Sequence, residues 1–532
     1  MTSVREAAFE LFRKHGMTTI FGNPGSTELP MLADFPDDFR YVLGLQEAVA
    51  VGMADGYAQA AGLPTHVNLH TAPGLGNAMG AIFNAQANKS PLLVTAGQQV
   101  RAQITLQANL TNKDATRVPH PYVKWSFEPP RAQDVVPALA RAIHMASLPP
   151  SGPAFVSLPM DDWTAETDEV MTAPVLARNV SGRAAADGEA VKALAARLSE
   201  ASNPALVAGP DVDASGAWDA AIALAEKQKL PVWATPAPGG GRIGFPESHP
   251  NFQGLLAPAI GPVGQMLEPY DLVLVVGSSV FPYYPYMAGA PLQGSTQLVA
   301  ITNDPDEAAR APVGDALVAD VRLTLEALLA ELGETERPGP EPTGPTEPAE
   351  VGDELTGANV HDVLSSLMPD DGIAVVESPS STMALRTRLR LSKPGSYYFS
   401  SAGGLGFGLA ASIGVQLAQP DRQVVCVLGE GSAQYAITGF WTAAAYKVPV
   451  KFLILNNSEY AILKWFAGVE QVEGAPGLDL PALDVAAVAQ GYGVPAARAE
   501  SGDELHAALS EAFDSDGPRL VEVKVAPGMS IL

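Results

Sequence analysis

The chain has 532 residues, with 32 Lys plus Arg against 58 Asp plus Glu and a formal net charge of −26. That acidity excludes a protein that grips nucleic acid or an anionic membrane through positive charge, and a composition 47% hydrophobic and 17% charged excludes a disordered chain. Cys426 is the single cysteine, so no internal disulfide can form; without a Cys/His cluster structural zinc is excluded too, and a reducing, cytoplasmic setting is expected.

The N-terminal MTSVREAAFELFRKHG is charged throughout and places Val4, Ala7, Ala8, Leu11 and Phe12 at helical spacing. This predicts an amphipathic surface helix, not a signal peptide. No run approaches the ~18 apolar residues of a membrane span. Short β-branched runs then alternate with Ala-rich stretches of helical period, the pattern of an α/β protein with doubly wound parallel sheets covered on both faces. At roughly 150 residues per domain the length suggests about three or four domains, and the strand pattern falls into three blocks. The first, residues 1–180, predicts strands at Thr18–Phe21, Tyr41–Leu45, His66–Leu69, Leu92–Ala96 and Ala154–Leu158. The second, 185–332, predicts Ala205–Ala208, Val232–Ala234, Leu272–Val276 and Leu298–Ile301. Residues 333–355, rich in Pro, Gly and Glu, read as a solvated linker. The third block, 356–532, predicts Ile373–Val376, Val424–Leu428, Lys451–Leu455 and Leu520–Val525.

Open α/β sheets bind ligands beyond the carboxyl ends of their strands. After the first strand comes GNPGS, ending in Ser26; after the second comes Glu47; after the third comes His70. Ser26 reads equally as a helix cap and His70 as a bonded core residue. Glu47 lies in the apolar LGLQEAVAVGMADGYAQAAG, where a carboxyl loses solvation. A buried ion pair and a tuned proton donor and acceptor both remain open there.

In the third block VVCVL runs into GEGS, Gly429 to Ser432, and VKFLIL ends at Asn456-Asn457. Glu430 and Asn457 thus head the ends of strands expected to be neighbours. Hard oxygen ligands beside Gly429 and Gly431 suit Mg²⁺ and a diphosphate, although an ordinary strand-loop-helix turn has the same pattern. The glycine clusters at 73–80 and 402–411 lack the strand and downstream acid of a dinucleotide fingerprint, so NAD is not expected.

Taken whole, the chain resembles the thiamine diphosphate enzymes of the pyruvate decarboxylase superfamily, most closely the benzoylformate decarboxylases. The resemblance runs from the N-terminus to about residue 525 and is dense in FGNPGSTELP, LQEAVAVGMADGYAQA, VTAGQQVRAQ, RAIHMAS, GPDVDA, GSYYFSSAGGLGFGLAASIGVQLA, FWTAAAYKVP, ILNNSEYAILKWFAGV and PGLDLPALD. It implies pyrimidine-binding, central and diphosphate-binding domains in that order, a homotetramer with active sites between two chains, and decarboxylation of an aryl or bulky 2-oxo acid to an aldehyde and CO₂. It implies that Glu47 drives the aminopyrimidine tautomer, that Gly403 offers a carbonyl to its amine and that Leu405 wedges the bent cofactor. Ser378, Ser380, Gly429, Gly431, Ser432 and Tyr460 match further cofactor contacts. Glu430, Asn457 and the Glu459 carbonyl match the metal ligands. Ser26 and His70 match groups that hold the substrate carboxylate and move protons, and Leu110, Phe399, Leu463, Phe466 and Leu478 match the apolar wall around its side chain.

Three departures stand out. Tyr284, in GSSVFPYYPY, takes the place of a second catalytic histidine, and a phenol donates protons less readily than an imidazolium at neutral pH. That favours a carboligase as the second reading. Glu430 replaces the usual Asp of the metal motif; the extra methylene leads to a shifted loop, a larger ion such as Ca²⁺ or Mn²⁺, or weaker cofactor binding, and a cofactor-binding homologue with decayed activity is the third reading. Pro379, in ESPSS, stands where a hydroxyl is usual and removes a backbone donor.

Overall fold

In a computed structural model of the chain, which describes residues 2–236 and 241–530, eighteen strands form three six-stranded sheets. The first holds β1 (Thr19–Gly22), β2 (Arg40–Leu43), β3 (Thr65–Leu69), β4 (Leu92–Gln98), β5 (Trp125–Phe127) and β6 (Ala154–Pro159), in the order β2-β1-β3-β4-β6-β5. The second holds β7 (Pro204–Ala208), β8 (Val232–Ala234), β9 (Phe252–Leu255), β10 (Leu272–Val276), β11 (Gln297–Thr302) and β12 (Asp315–Val318), ordered β12-β11-β10-β7-β8-β9. The third holds β13 (Ile373–Glu377), β14 (Tyr397–Phe399), β15 (Val424–Gly429), β16 (Lys451–Asn456), β17 (Ala496–Ala499) and β18 (Arg519–Lys524), ordered β14-β13-β15-β16-β18-β17. The paired strands run parallel.

Every strand expected from sequence is present within a residue or two of its predicted ends. The five that sequence missed, β5, β9, β12, β14 and β17, are all edge strands. Their runs are short, and β5, β12 and β17 expose much of their length, so they lack the unbroken apolar signature of a strand covered on both faces.

The N-terminal helix α1 (Val4–Lys14) is held by a capping box from Ser3 and Glu6, and it buries Val4, Ala7, Ala8, Phe9, Leu11 and Phe12. Two helices of the first unit position the site: α2 (Glu47–Ala61), capped by the Gln46 side chain, and α3 (Thr71–Ala87). From the third unit come α4 (Phe407–Ala418), the single turn α5 (Glu430–Ala433) and α6 (Ala461–Val469).

Helices α2 and α4 cross in close contact, which ties the first unit to the third. A methyl at Gly414 would lie 1.9 Å from the Met53 carbonyl oxygen, and one at Gly56 would lie 2.2 Å from that of Ala411. Backbone on backbone leaves no room to relax, so alanine at either position should cost at least the ~1–3 kcal/mol of ordinary overpacking. One contiguous core of residues, including Met53, Ala54, Leu409, Ala410 and Phe440, spans both units. Among the described residues no helix is long and apolar enough to cross a membrane, and Cys426 is a buried free thiol.

Candidate active site

In a doubly wound sheet the ligand crevice opens where successive connections leave a strand in opposite directions. In the first sheet that point lies between β1 and β3. The loop after β1 and the residue after β3 meet there through a carboxylate that the sequence reading passed over. Glu28 is 1% exposed. Its Oε2 accepts from Gly25 N–H at 2.7 Å and from His70 Nδ1 at 2.9 Å. Its Oε1 accepts from Gly97 N–H at 2.9 Å and from the Thr27 hydroxyl at 2.7 Å. Because a carboxylate only accepts, the proton belongs on Nδ1 and Nε2 is left for a ligand.

Glycine makes this seat possible. A methyl on Gly25 would sit 2.1 Å from His70 Nδ1, and one on Gly97 would sit 2.0 Å from Glu28 Oε1. Ser26 is exposed at the mouth of the same loop, while Thr27 and Glu28 face inward.

Glu47 opens α2 and is 8% exposed. Its Oε2 accepts from Asn77 Nδ2 on α3 at 3.1 Å. Among the described residues no ion pair involves it, so the buried-ion-pair reading is not what the structure contains. Gly74, in the first turn of α3, is approached by both candidate proton carriers: a methyl there would be 3.1 Å from Glu47 Oε1 and 3.4 Å from His70 Cβ. Glu47 and His70 therefore flank one glycine on one rim.

In the third sheet the crevice lies between β13 and β15. As expected, β15 and β16 are parallel neighbours, with Gly429 opposite Leu455. Glu430 Oε1 accepts the Glu459 N–H at 3.0 Å, and Asn457 Oδ1 accepts the same N–H at 3.2 Å. Burial raises the Glu430 pKa, and backbone N–H groups of the 457–459 turn pull it partly back. Ser458, at φ 58°, makes that turn.

Glu459 pairs with Asp479 as an isolated antiparallel bridge. The flanking residues Tyr460 and Ser458 bond Leu478 and Leu480 across it. In such a pair a residue's N–H and C=O share one side, which puts the Glu459 carbonyl on the same side of the chain as the N–H that meets Glu430 and Asn457. Its carboxylate is occupied elsewhere, by Lys464 and by Gly528 N–H. Glu430 Oε1 and Asn457 Oδ1 meet at one N–H, and with the carbonyl on that side they are the hard oxygens a small divalent cation takes. Gly431 closes against Tyr460 and Leu480, whereas a methyl on Gly429 would meet only Ser432 Oγ, at 3.7 Å, and Gly403 (φ 69°) faces open space. The cradle thus has free backbone for a diphosphate.

The remaining expected residues are distributed as follows. Leu405 is half-buried just before α4. The Ser378 hydroxyl is buried against Ser381 at 2.7 Å, which leaves half-buried Ser380 as the hydroxyl at the rim. Ser432 is buried in α5. Leu463 (46% exposed) and Leu110 (41%) stand open to solvent. Phe466 and Leu478 are half-buried, but Phe399 is packed into the core beneath β14. Tyr284, from the second unit, is 60% exposed and lays its ring on Phe466 of α6, centroids 4.9 Å apart. Glu377, another residue that sequence missed, ends β13 fully buried, its carboxyl pushed up to about 8 by burial.

The profile of the N-terminal thiamine pyrophosphate-binding domain matches residues 2–116, that of the central domain 191–328 and that of the C-terminal binding domain 379–523. The chain is 51% identical over 524 residues to a benzoylformate decarboxylase of Pseudomonas aeruginosa, covering 98% of this chain and 99% of that one. A thiamine diphosphate-dependent 4-hydroxybenzoylformate decarboxylase of Rhodococcus jostii superposes with a TM-score of 0.96 at 45% identity, over 100% of both chains. A benzoylformate decarboxylase of Polynucleobacter necessarius does so with a TM-score of 0.96 at 40% identity, again over 100% of both.

Proposed function

The chain belongs to the thiamine diphosphate-dependent benzoylformate decarboxylase family, and from that premise we propose how its own residues decarboxylate an aryl 2-oxo acid to an aldehyde and CO₂. When bound, thiamine diphosphate would supply a nucleophilic carbon and an electron sink for decarboxylation. Glu430, Asn457 and the Glu459 carbonyl would hold Mg²⁺, which would supply positive charge for the cofactor's diphosphate. Glu47, with Asn77 fixing its carboxyl, exchanges a proton with the cofactor's ring. Ser26 and His70 hold the substrate carboxylate. His70, once Nε2 has taken up a second proton from solvent, would deliver that proton to the carbon that CO₂ leaves, with Glu28 keeping Nδ1 protonated throughout. Leu110, Leu463, Phe466 and Leu478 enclose the aryl group and exclude water, which favours a step that disperses charge.

The observation that carries this assignment is that Glu47 Oε1 and His70 Cβ both come within 3.4 Å of one point on Gly74, which brings the two residues to one place on the rim. The reading includes a cytoplasmic homotetramer with each site shared by two chains, supported by the open apolar flanks Leu110, Leu463 and Tyr435. Purified protein given thiamine diphosphate, Mg²⁺ and a panel of 2-oxo acids should release CO₂ and aldehyde, fastest with aryl substrates; aliphatic acids turning over faster would overturn the substrate class. Titrating thiamine diphosphate with Mg²⁺, Ca²⁺ and Mn²⁺ in wild type and Glu430→Asp tests the longer ligand, and equal affinities throughout would make that change silent.

The seat of Tyr284 on Phe466 favours a second product. A phenol at the pocket wall protonates carbon slowly, so an acceptor aldehyde competes and a hydroxyketone forms. Tyr284→His should raise the aldehyde-to-hydroxyketone ratio from benzoylformate plus benzaldehyde; an unchanged ratio refutes this.

A further inference from the structure

Helix α4 begins without a capping side chain of its own, because Gly406 occupies the cap position at φ 99°. Its orphan donors are met from another strand. Glu377, at the end of β13, accepts Gly406 N–H through Oε1 at 2.6 Å and Gly408 N–H through Oε2 at 2.6 Å. The side chain is 3% exposed, and Gly408 has no room for a methyl, which would come 2.7 Å from Glu377 Cβ. Two residues earlier the same loop is pinned from the opposite side: Asn84 Nδ2 on α3 donates to the Gly404 carbonyl at 3.0 Å. Leu405 lies between the two pins.

We propose that Glu377 is a positioning residue for the cofactor: by gathering the first N–H groups of α4 it sets, together with Asn84, where Leu405 and the Gly403 carbonyl meet the thiamine ring. The inference rests on the cofactor contacts proposed above. An ionised carboxyl suits the task, since both oxygens accept and the N-terminus of a helix favours negative charge. A glutamine would turn an NH₂ toward backbone N–H groups that have no other partner, and a protonated acid likewise presents a donor to donors. Among the described residues the titratable side chain that faces Glu377 is the Cys426 thiol on β15, itself pushed up by burial and turned to the Gly408 carbonyl. Burial with no cation alongside pushes the Glu377 carboxyl up to about 8, against the pull of the Gly406, Phe407 and Gly408 N–H groups. The anchored form therefore gains population as pH rises through that value.

The test measures thiamine diphosphate binding to apoprotein with Mg²⁺ by equilibrium dialysis, at pH 6.5 and pH 9, in wild type and Glu377→Gln, with apoprotein melting followed in parallel. The variant should bind roughly tenfold more weakly at pH 9, the loss of a hydrogen bond to a charged acceptor, and the gap should narrow at pH 6.5. A merely structural cap lowers melting temperature without that pH dependence. Equal affinity of the two proteins at both pH values overturns the proposal, whereas wild type that binds no thiamine diphosphate overturns the cofactor site itself. Should Glu377→Gln fail to fold, Glu377→Asp, which withdraws the carboxyl by one methylene, takes its place: wild-type affinity in that variant is the overturning result, and weakened binding at pH 9 the supporting one.

Discussion

The rims of the first and third sheets use the same residue type for different ends. In the first, Glu28 meets an imidazole as well as backbone N–H groups, and Glu47 meets a side-chain amide beside that imidazole. In the third, Glu377 and Glu430 accept from backbone N–H groups. A carboxylate beside a titratable ring can move protons; one ringed by main-chain donors anchors a loop or an ion. The second sheet makes the contrast sharper. Beside its strand ends Lys89, reaching over from the first unit, bonds Asp211 at 2.8 Å and Glu307 at 3.0 Å, so the acids after β7 and β11 share one cation. The partner, more than the strand end, decides what each carboxylate does.

The largest expected effect is at Glu47. Glu47→Gln should lower kcat for CO₂ release from benzoylformate by roughly 10²–10⁴-fold, the span of general acid–base catalysis, and a near-normal rate would remove Glu47 from the mechanism. His70→Ala should fall at the lower end of that span, about 10²-fold. Glu28→Gln should cost roughly tenfold, since it weakens one bond to the ring, and should move the pH profile of kcat; a loss with no movement of the profile would make Glu28 structural. On the anchoring rim, Asn457→Ala should raise the thiamine diphosphate requirement at fixed Mg²⁺ by about tenfold, with kcat at saturation changed far less. If Asn457→Ala instead behaved like His70→Ala, the division of labour between the rims would be wrong.

The smallest effect concerns stability. His66 on the first unit and His361 on the third are buried neutral, each lowered from the ordinary 6.5 to about 3 by desolvation. The unfolded chain takes up these protons near pH 6.5 and the folded chain does not until about pH 3, so stability is complete above 6.5 and drains away as pH falls toward 3. Denaturant melts at pH 7 and pH 5 should show the loss, and equal stability at both would refute the neutral, buried state. His66 bonds Thr95 at 2.8 Å, whereas among the described residues neither ring nitrogen of His361 meets the geometry of a hydrogen bond. Replacing His361 should accordingly cost less than replacing His66.

Much of this was readable along the chain. Period-two and apolar runs identify the thirteen strands sequence expected, because covering both faces of a parallel sheet demands continuous apolar residues, and strand ends point to Ser26, Glu47, His70, Glu430 and Asn457. Motif spacing also placed Glu430 and Asn457 on neighbouring strands, since a strand-helix-strand unit is a local object. Of the six edge strands only β2 was expected; the other five escaped, having one neighbour and little need of apolar runs. Glu28, Asn77, Asn84 and Glu377 escaped for another reason. Each gains its meaning from a group far along the chain: Glu28 from His70, Glu377 from the head of α4, Asn84 from Gly404. Periodicity reports what a residue does within its own element, whereas a buried carboxylate's behaviour depends on which donors the folded chain brings to within about 3 Å of it. Sequence therefore determined the three sheets and the ends at which chemistry gathers. Only tertiary structure decided which acid meets a ring and which meets bare backbone, because hydrogen bonding acts across space and is blind to distance along the chain.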